Sequence, residues 1–330
     1  RDRSVSRGLG DVYKRQDIRS LLGEWEKTTP LPFYSLGEPT LTKITNKGGE
    51  EFFVLKMLIS NNSDYDGIIH MDIRKDGWWY QPLEDPRAKT KIEMPAHTSK
   101  EFVSVWEDQI RNVEINTMVS GNLPNIISQD INNVKQERNK IVKDSIYILP
   151  ESSFDLPGEI IVDNEDSTLF ILSAPPIVGL LPKWLDEVEE TPFKYSGISW
   201  WRPPLQWTAT TNDRYYGKYI RSAFVIKSGD GSQTATWKVP VPEVGQYDLY
   251  YHVFKDDELR WNNNLQGEYH FKVKYGSEVE DAYVNLRKAN EGWEQLGSYY
   301  FDSDTIRVVL TDECKLRSVT ADAVKIVKRY

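Results

Sequence analysis

From Glu38 to Val119 the chain breaks into short runs in which apolar and polar positions alternate: EPTLTKITN, EFFVLKMLIS, DGIIHMDIR, TKIEM, SKEFVSVWE and RNVEINTMV. In the last run Val113, Ile115, Thr117 and Val119 alternate with Asn112, Glu114, Asn116 and Met118. A period of two places one set on a buried face and the other on a polar face, which is the signature of a half-buried strand. Gly48-Gly49 separates the first two runs as a hairpin turn, and Asn61, Asn62 and Asp64 punctuate the next gap. Strands and turns at this spacing predict an immunoglobulin-like sandwich over 38–121, without the Cys-Trp-Cys hallmark of antibody domains.

Residues 17–37 read as a lead-in and 122–158 as a polar linker, where Ile127, Ile131 and Val134 fit a weak helical face. Beyond it the alternation resumes: GEIIVDNED, YIRSAFVIK, QTATWKV, QYDLYYHVF, EYHFKVKYG, VEDAYVNLR, SYYF, TIRVVL and SVTADAVKIVK. In QYDLYYHVF, Tyr247, Leu249, Tyr251 and Val253 form an apolar face opposite Asp248, Tyr250, His252 and Phe254. So many strands predict a jelly-roll-like double sheet over 159–330. An insertion near 174–195 interrupts it, and there Leu181, Trp184, Leu185 and Val188 take the spacing of a short amphipathic helix. The expected fold class is all-β, with two sandwich domains in series.

Composition agrees with that class. The 330 residues include 11 Trp, 18 Tyr and 11 Phe, enough aromatic surface to offset chain entropy in two domains. Net charge is −9 and the basic residues are scattered, which excludes an electrostatic footprint for nucleic acid. Cys314 is the only cysteine, so neither an intrachain disulfide nor a zinc site of paired thiolates can form. The longest apolar stretch, Leu169 to Leu181, is cut by Pro175 and Pro176 and falls short of the roughly 20 residues that span a bilayer. The opening RDRSVSRGLGDVYKRQ resembles a translated sequencing-adapter string of the kind found at broken ends of metagenomic assemblies, so residues 1–16 are set aside and native sequence is expected from Asp17.

Five strings in order, EIIVDNED, YYGKYIRSA, ATWKVPVPEVGQYDLYYHV, GWEQLGSYYF and VTADAVKIV, resemble the golvesin C-terminal-like family, also described as the xanthan-lyase carbohydrate-binding-like domain. The resemblance covers roughly Glu159 to Tyr330, with the insertion as its departure from the family pattern. It implies a β-sandwich found beside secreted bacterial polysaccharide lyases and peptidases. A looser likeness of Glu38 to Tyr330 to the C-terminal end of Bacteroidetes envelope proteins implies a periplasmic, envelope or secreted location and an upstream peptidase-like domain.

Catalytic patterns are missing. No HExxH places two histidines one helical turn apart, and His70, His97, His252 and His270 have no partner at metal-ligand spacing along the chain. His252 and His270 lie on strands and could face each other, with solvated or core-edge roles the expected outcome. No GxSxG elbow supplies a serine nucleophile, and no carboxylate pair stands in a context that selects it for glycosidase chemistry.

Two constellations remain. Asp163, Glu165 and Asp166 in the first strand and Asp322 in the last would converge if those strands pair, giving the oxygen-rich set that calcium prefers; the competing reading is a polar turn held by Asx hydrogen bonds. No other cofactor is expected. SGISWWRPPLQW carries Trp200, Trp201 and Trp207 with Arg202 and Gln206, and Trp261 sits in the polar loop LRWNNNLQG. Sugar C–H faces pack on indole rings while polar neighbours meet the hydroxyls, so these six residues are the candidate saccharide platform. Tryptophan is usually largely buried, so the competing expectation is that they plug one end of the sandwich. Trp78, Trp79 and Tyr80 are expected to anchor the first domain.

The expected function is a non-catalytic extracytoplasmic binding or accessory module for polysaccharide or peptidoglycan glycan. The alternative is the C-terminal part of a larger membrane-linked peptidase or transporter, where these domains serve structure or docking.

Overall fold

A computed structural model describes residues 30–75, 81–131, 133–138, 142–149, 158–173, 194–199, 201–255 and 267–329. The expectations for residues 1–16, for Trp78, Trp79 and Tyr80, and for the helix over 181–188 lie outside these residues.

The described chain is built almost wholly of strands. In the first unit, one sheet runs in the order β10 (Val134–Arg138), β2 (Thr40–Thr45), β3 (Glu51–Asn61), β7 (Thr98–Trp106) and β11 (Ser145–Leu149), with β1 (Tyr34–Leu36) also pairing β3. The facing sheet has β5 (Gln81–Pro82), β4 (Gly67–Lys75), β8 (Ile110–Asn116) and β9 (Ile126–Asp130), with β6 (Lys89–Met94) also on β4. Leu41, Leu55, Met57 and Ile59 from one sheet and Ile69, Met71, Val113 and Ile115 from the other fill the space between them. Eight of the pairings between these strands are antiparallel, whereas β10 joins β2 in parallel.

Two boundaries differ from the sequence expectation. The segment 122–158 supplies β9, β10 and β11 to the first unit, so it is not a linker with a helical piece. Ile127 and Ile131 are buried in the first unit, and the spacing of four that suggested a helix is equally two steps of a period of two. The lead-in likewise contributes β1, whose Tyr34 is fully buried and exchanges backbone hydrogen bonds with the Asn122 side chain.

The second unit has a four-stranded sheet, β12 (Glu159–Val162), β23 (Val324–Lys328), β17 (Gly245–Val253) and β20 (Gly292–Phe301). Opposite it lies a five-stranded sheet, β13 (Phe170–Ser173), β16 (Thr234–Pro240), β21 (Thr305–Thr311), β18 (Glu268–Tyr275) and β19 (Glu278–Asn285). A three-stranded sheet of β14 (Thr208–Thr211), β15 (Ser222–Lys227) and β22 (Ser318–Ala321) completes it. As expected from their alternation, Tyr247, Leu249, Tyr251 and Val253 are buried, packed with Trp237, Phe271 and Phe301. Burying side chains of this size contributes about 1.5–3 kcal/mol each. SVTADAVKIVK is two strands in different sheets, β22 and β23, parted at Asp322 and Ala323.

The loop 212–221 joins the units. Ile220 forms a parallel bridge with Leu123, the Leu123 N–H donates to the Tyr219 carbonyl (3.1 Å), and the Arg221 N–H donates to the Leu123 carbonyl (2.7 Å). Tyr219 also packs on Phe33 at 5.4 Å between ring centroids. Gly217 makes this path open to the chain: its φ is 153°, and a Cβ there would lie 1.9 Å from the Ile220 carbonyl oxygen. Gly217→Ala is therefore expected to cost about 1–3 kcal/mol, because the backbone must move away from the bridge. Denaturant unfolding of the full chain checks this, and an unchanged midpoint would refute it.

Candidate functional site

The SGISWWRPPLQW loop is tied to the body of the second unit along its length. The Ser196 N–H donates to the Ala209 carbonyl (2.8 Å), the Lys227 N–H to the Pro204 carbonyl (2.7 Å) and the Gln233 side chain to the Leu205 carbonyl (3.2 Å). Pro203 and Pro204 lack N–H groups and cannot extend a ladder, so the loop approaches β15 through a carbonyl instead. A short turn, Arg202 N–H to the Ser199 carbonyl at 3.0 Å, brackets the tip.

This anchoring divides the tryptophans between the two expectations. Trp207 is half-buried and packs on the core, where among the described residues its indole N–H meets no acceptor. Trp201 is 80% exposed, with the Arg317 guanidinium 4.8 Å from its ring centroid. Arg202, Leu205 and Gln206 beside it are exposed as well. Trp200 and Trp261 lie outside the described residues. Arg317 was missed by the sequence reading: it stands more than a hundred residues from Trp201, and no local pattern announces a stacking partner. Cation–π stacking of this kind contributes about 0.5–1 kcal/mol at an exposed site and holds one face of the indole.

The carboxylates Asp163, Glu165, Asp166 and Asp322 lie where first and last strands meet, since β12 pairs β23 with Val162 opposite Val324. Among the described residues no group of three or more His, Cys, Asp or Glu is placed to hold a metal ion. Each is engaged by protein donors instead. Glu165 accepts from Lys194 (2.5 Å), Tyr195 (2.9 Å) and Ser222, while Asp166 accepts from the Asp163 N–H (2.9 Å) and Asp163 from the Asn164 N–H (2.7 Å). The polar-turn alternative accounts for these contacts.

Asp322 is fully buried. Its carboxyl lies 2.8 Å from His252 Nδ1 and accepts from the Tyr216 N–H at 3.1 and 3.2 Å. His252 therefore does not face His270, which pairs with Asp281 at 2.7 Å on the other sheet. Burial raises the pKa of Asp322 despite the opposing influence of His252, Tyr216 and Arg221. Asp163 is pushed well above the ordinary range, first by burial and then by the Asp322 charge. In Glu165 burial acts upward too, but the hydrogen bonds from Lys194, Ser222 and Tyr195 outweigh it and hold the carboxyl low.

Residues 203–328 match the Golvesin C-terminal domain family. No curated protein matches the chain at a significant level. Among solved structures, TmCBM61 in complex with β-1,4-galactotriose aligns at 15% identity over 37% of this chain and 77% of that one, with a TM-score of 0.21. A Bacteroides uniformis β-glucuronidase aligns at 12% identity over 92% of this chain but only 30% of its own length, with a TM-score of 0.24.

The acid cluster carries a pH signature. Asp163 titrates higher in the folded chain than the ordinary value of about 3.9, so its contribution favours folding while protonated and is lost as pH rises through the folded value. Asp163→Asn is expected to stabilise the chain at about pH 7 and to change little at about pH 4. Unfolding midpoints at the two pH values read the difference, and equal destabilisation at both would contradict it.

Proposed function

We propose that the second unit is a non-catalytic, extracytoplasmic glycan-binding module of a bacterial envelope or secreted protein, with the first unit as its spacer. The observation that carries this reading is the exposed Trp201, held on a tethered loop and backed by Arg317. A surface tryptophan loses little by being covered, and an indole face fixed in advance spares the ligand much of the ordering cost of binding. Arg202 and Gln206 supply donors and an acceptor beside it for sugar hydroxyls. The match of residues 203–328 to the Golvesin C-terminal domain supports the reading, since that family resembles carbohydrate-binding domains. Among the described residues no helix is long and apolar enough to cross a membrane.

The ligand is proposed to be a bacterial polysaccharide or the glycan of peptidoglycan. Trp201→Ala should weaken binding by about tenfold or more, equivalent to ~1.4 kcal/mol, with an unfolding midpoint close to that of the parent chain. A glycan array followed by titration calorimetry on the full chain measures this. Full retention of affinity in the variant, or no glycan bound by the parent chain, would remove the reading and leave the docking role in a larger peptidase or transporter.

A further inference from the structure

On the outer face of the five-stranded sheet, β18 and β19 place His270 directly opposite Tyr283. Their neighbours Tyr269, Phe271, Ala282 and Val284 point into the core, so both rings face outward. The two rings stack with centroids 4.9 Å apart and planes inclined by only 8°. Two carboxylates fix the imidazole in turn, Asp281 at 2.7 Å from Nε2 and Glu313 at 3.5 Å from Nδ1. Tyr283 is nevertheless 55% exposed, so a rigid aromatic surface is held ready at the surface.

This pair stands in a cleft of about 280 Å³ whose other walls include Glu268, Asn285, Glu313 and Lys315. That volume lies just below the range of about 300–1,000 Å³ usual for drug-sized ligands and suits a single sugar unit. The lining is rich in acceptors: Glu268 and Glu313 stand in it, with Asp281 behind His270, against the one ammonium of Lys315. Such a balance suits neutral or amino sugars, which bring hydroxyl or ammonium donors, and repels uronates.

The cleft and the tryptophan platform share one loop. Glu313, Lys315 and Arg317 are exposed at alternate positions between β21 and β22, while Leu316 turns inward. Lys315 lines the cleft and Arg317 stacks on Trp201, and two residues span at most about 7 Å. We propose that the Tyr283–His270 cleft is a second subsite on the same binding surface, which takes another neutral or amino sugar unit of the chain held at Trp201. The ligand is then an oligosaccharide engaged at several units. This inference rests on the glycan-binding reading, and its test separates the two.

Calorimetry on the full chain with cello-, chito- and galacto-oligosaccharides, each from monomer to hexamer, provides the measurement. For at least one series the parent chain should gain affinity by about tenfold or more with length, as a second contact becomes intramolecular. Tyr283→Ala should cut that gain to below about twofold while leaving the short-oligomer affinity in place; Tyr283→Phe, which keeps the ring, should retain it. An oligogalacturonate series should bind more weakly than the neutral ones. A length gain that survives Tyr283→Ala but collapses in Trp201→Ala would overturn the second subsite and leave the platform standing. No binding by the parent chain to any series would overturn both.

Discussion

The buried carboxyl of Asp322 is the constraint around which the second unit is arranged. A carboxyl removed from water costs several kcal/mol unless its oxygens find donors, and here they find His252 and the Tyr216 N–H. Meeting that need fixes two distant pieces of chain. His252 belongs to β17, and Tyr216 lies within the loop 212–221 that carries Ile220 to the first unit. The backbone at Asp322 is used as well, since its carbonyl accepts the buried Trp237 indole N–H at 3.2 Å. One residue therefore sets the exit of β22 from one sheet, the entry of β23 into another and the course of the connecting loop.

The same loop explains why the two units meet as they do. The contact at Leu123 is made of backbone hydrogen bonds on both sides of Ile220, and such bonds fix direction more tightly than apolar packing alone. Ring packing of Tyr219 on Phe33 and the donation from Ser128 N–H to Asp213 (3.3 Å) extend the contact across the first unit's edge. Short hydrogen-bonded contacts of this kind use the close approach allowed at Gly217, which no other residue type permits without strain.

The strands were legible in the sequence because burial imposes a period of two, and β3, β4, β7 and β17 fall where the alternation placed them. By contrast, β8 stops at Asn116 and the expected inward position Val119 is exposed, because the chain turns at Met118, whose φ is 55°. What failed was reading at the ends of strands. Ile127 and Ile131 satisfied a helical spacing and a strand spacing alike, so periodicity alone had no means of choosing. The string VTADAV was continuous as a pattern, but a polar residue at its centre marks the point where the chain changes sheets. The first and last strands do pair, as β12 and β23, whereas the hydrogen-bond partners of the carboxylates, Lys194, Tyr195, Ser222 and His252, lie far along the chain. Those partners are invisible to a local reading of the acids themselves.

The tryptophan segment shows the same limit from the other side. Composition alone set exposure against burial for the whole group, and the structure gives different answers for the two described tryptophans: Trp207 against the core, Trp201 in solvent. The division follows from the two prolines between them. With no N–H to give, Pro203 and Pro204 keep the segment off the ladder, and the donation from the Lys227 N–H to the Pro204 carbonyl holds the chain there, with Trp201 before it exposed and Thr208 after it entering β14. Exposure of an aromatic ring is then a consequence of backbone hydrogen bonding around it, and the Arg317 guanidinium covers one face. A ring that is both exposed and rigid is the arrangement in which stacking on a sugar costs least order, which is why the loop's tethering bears on function more directly than its tryptophan content.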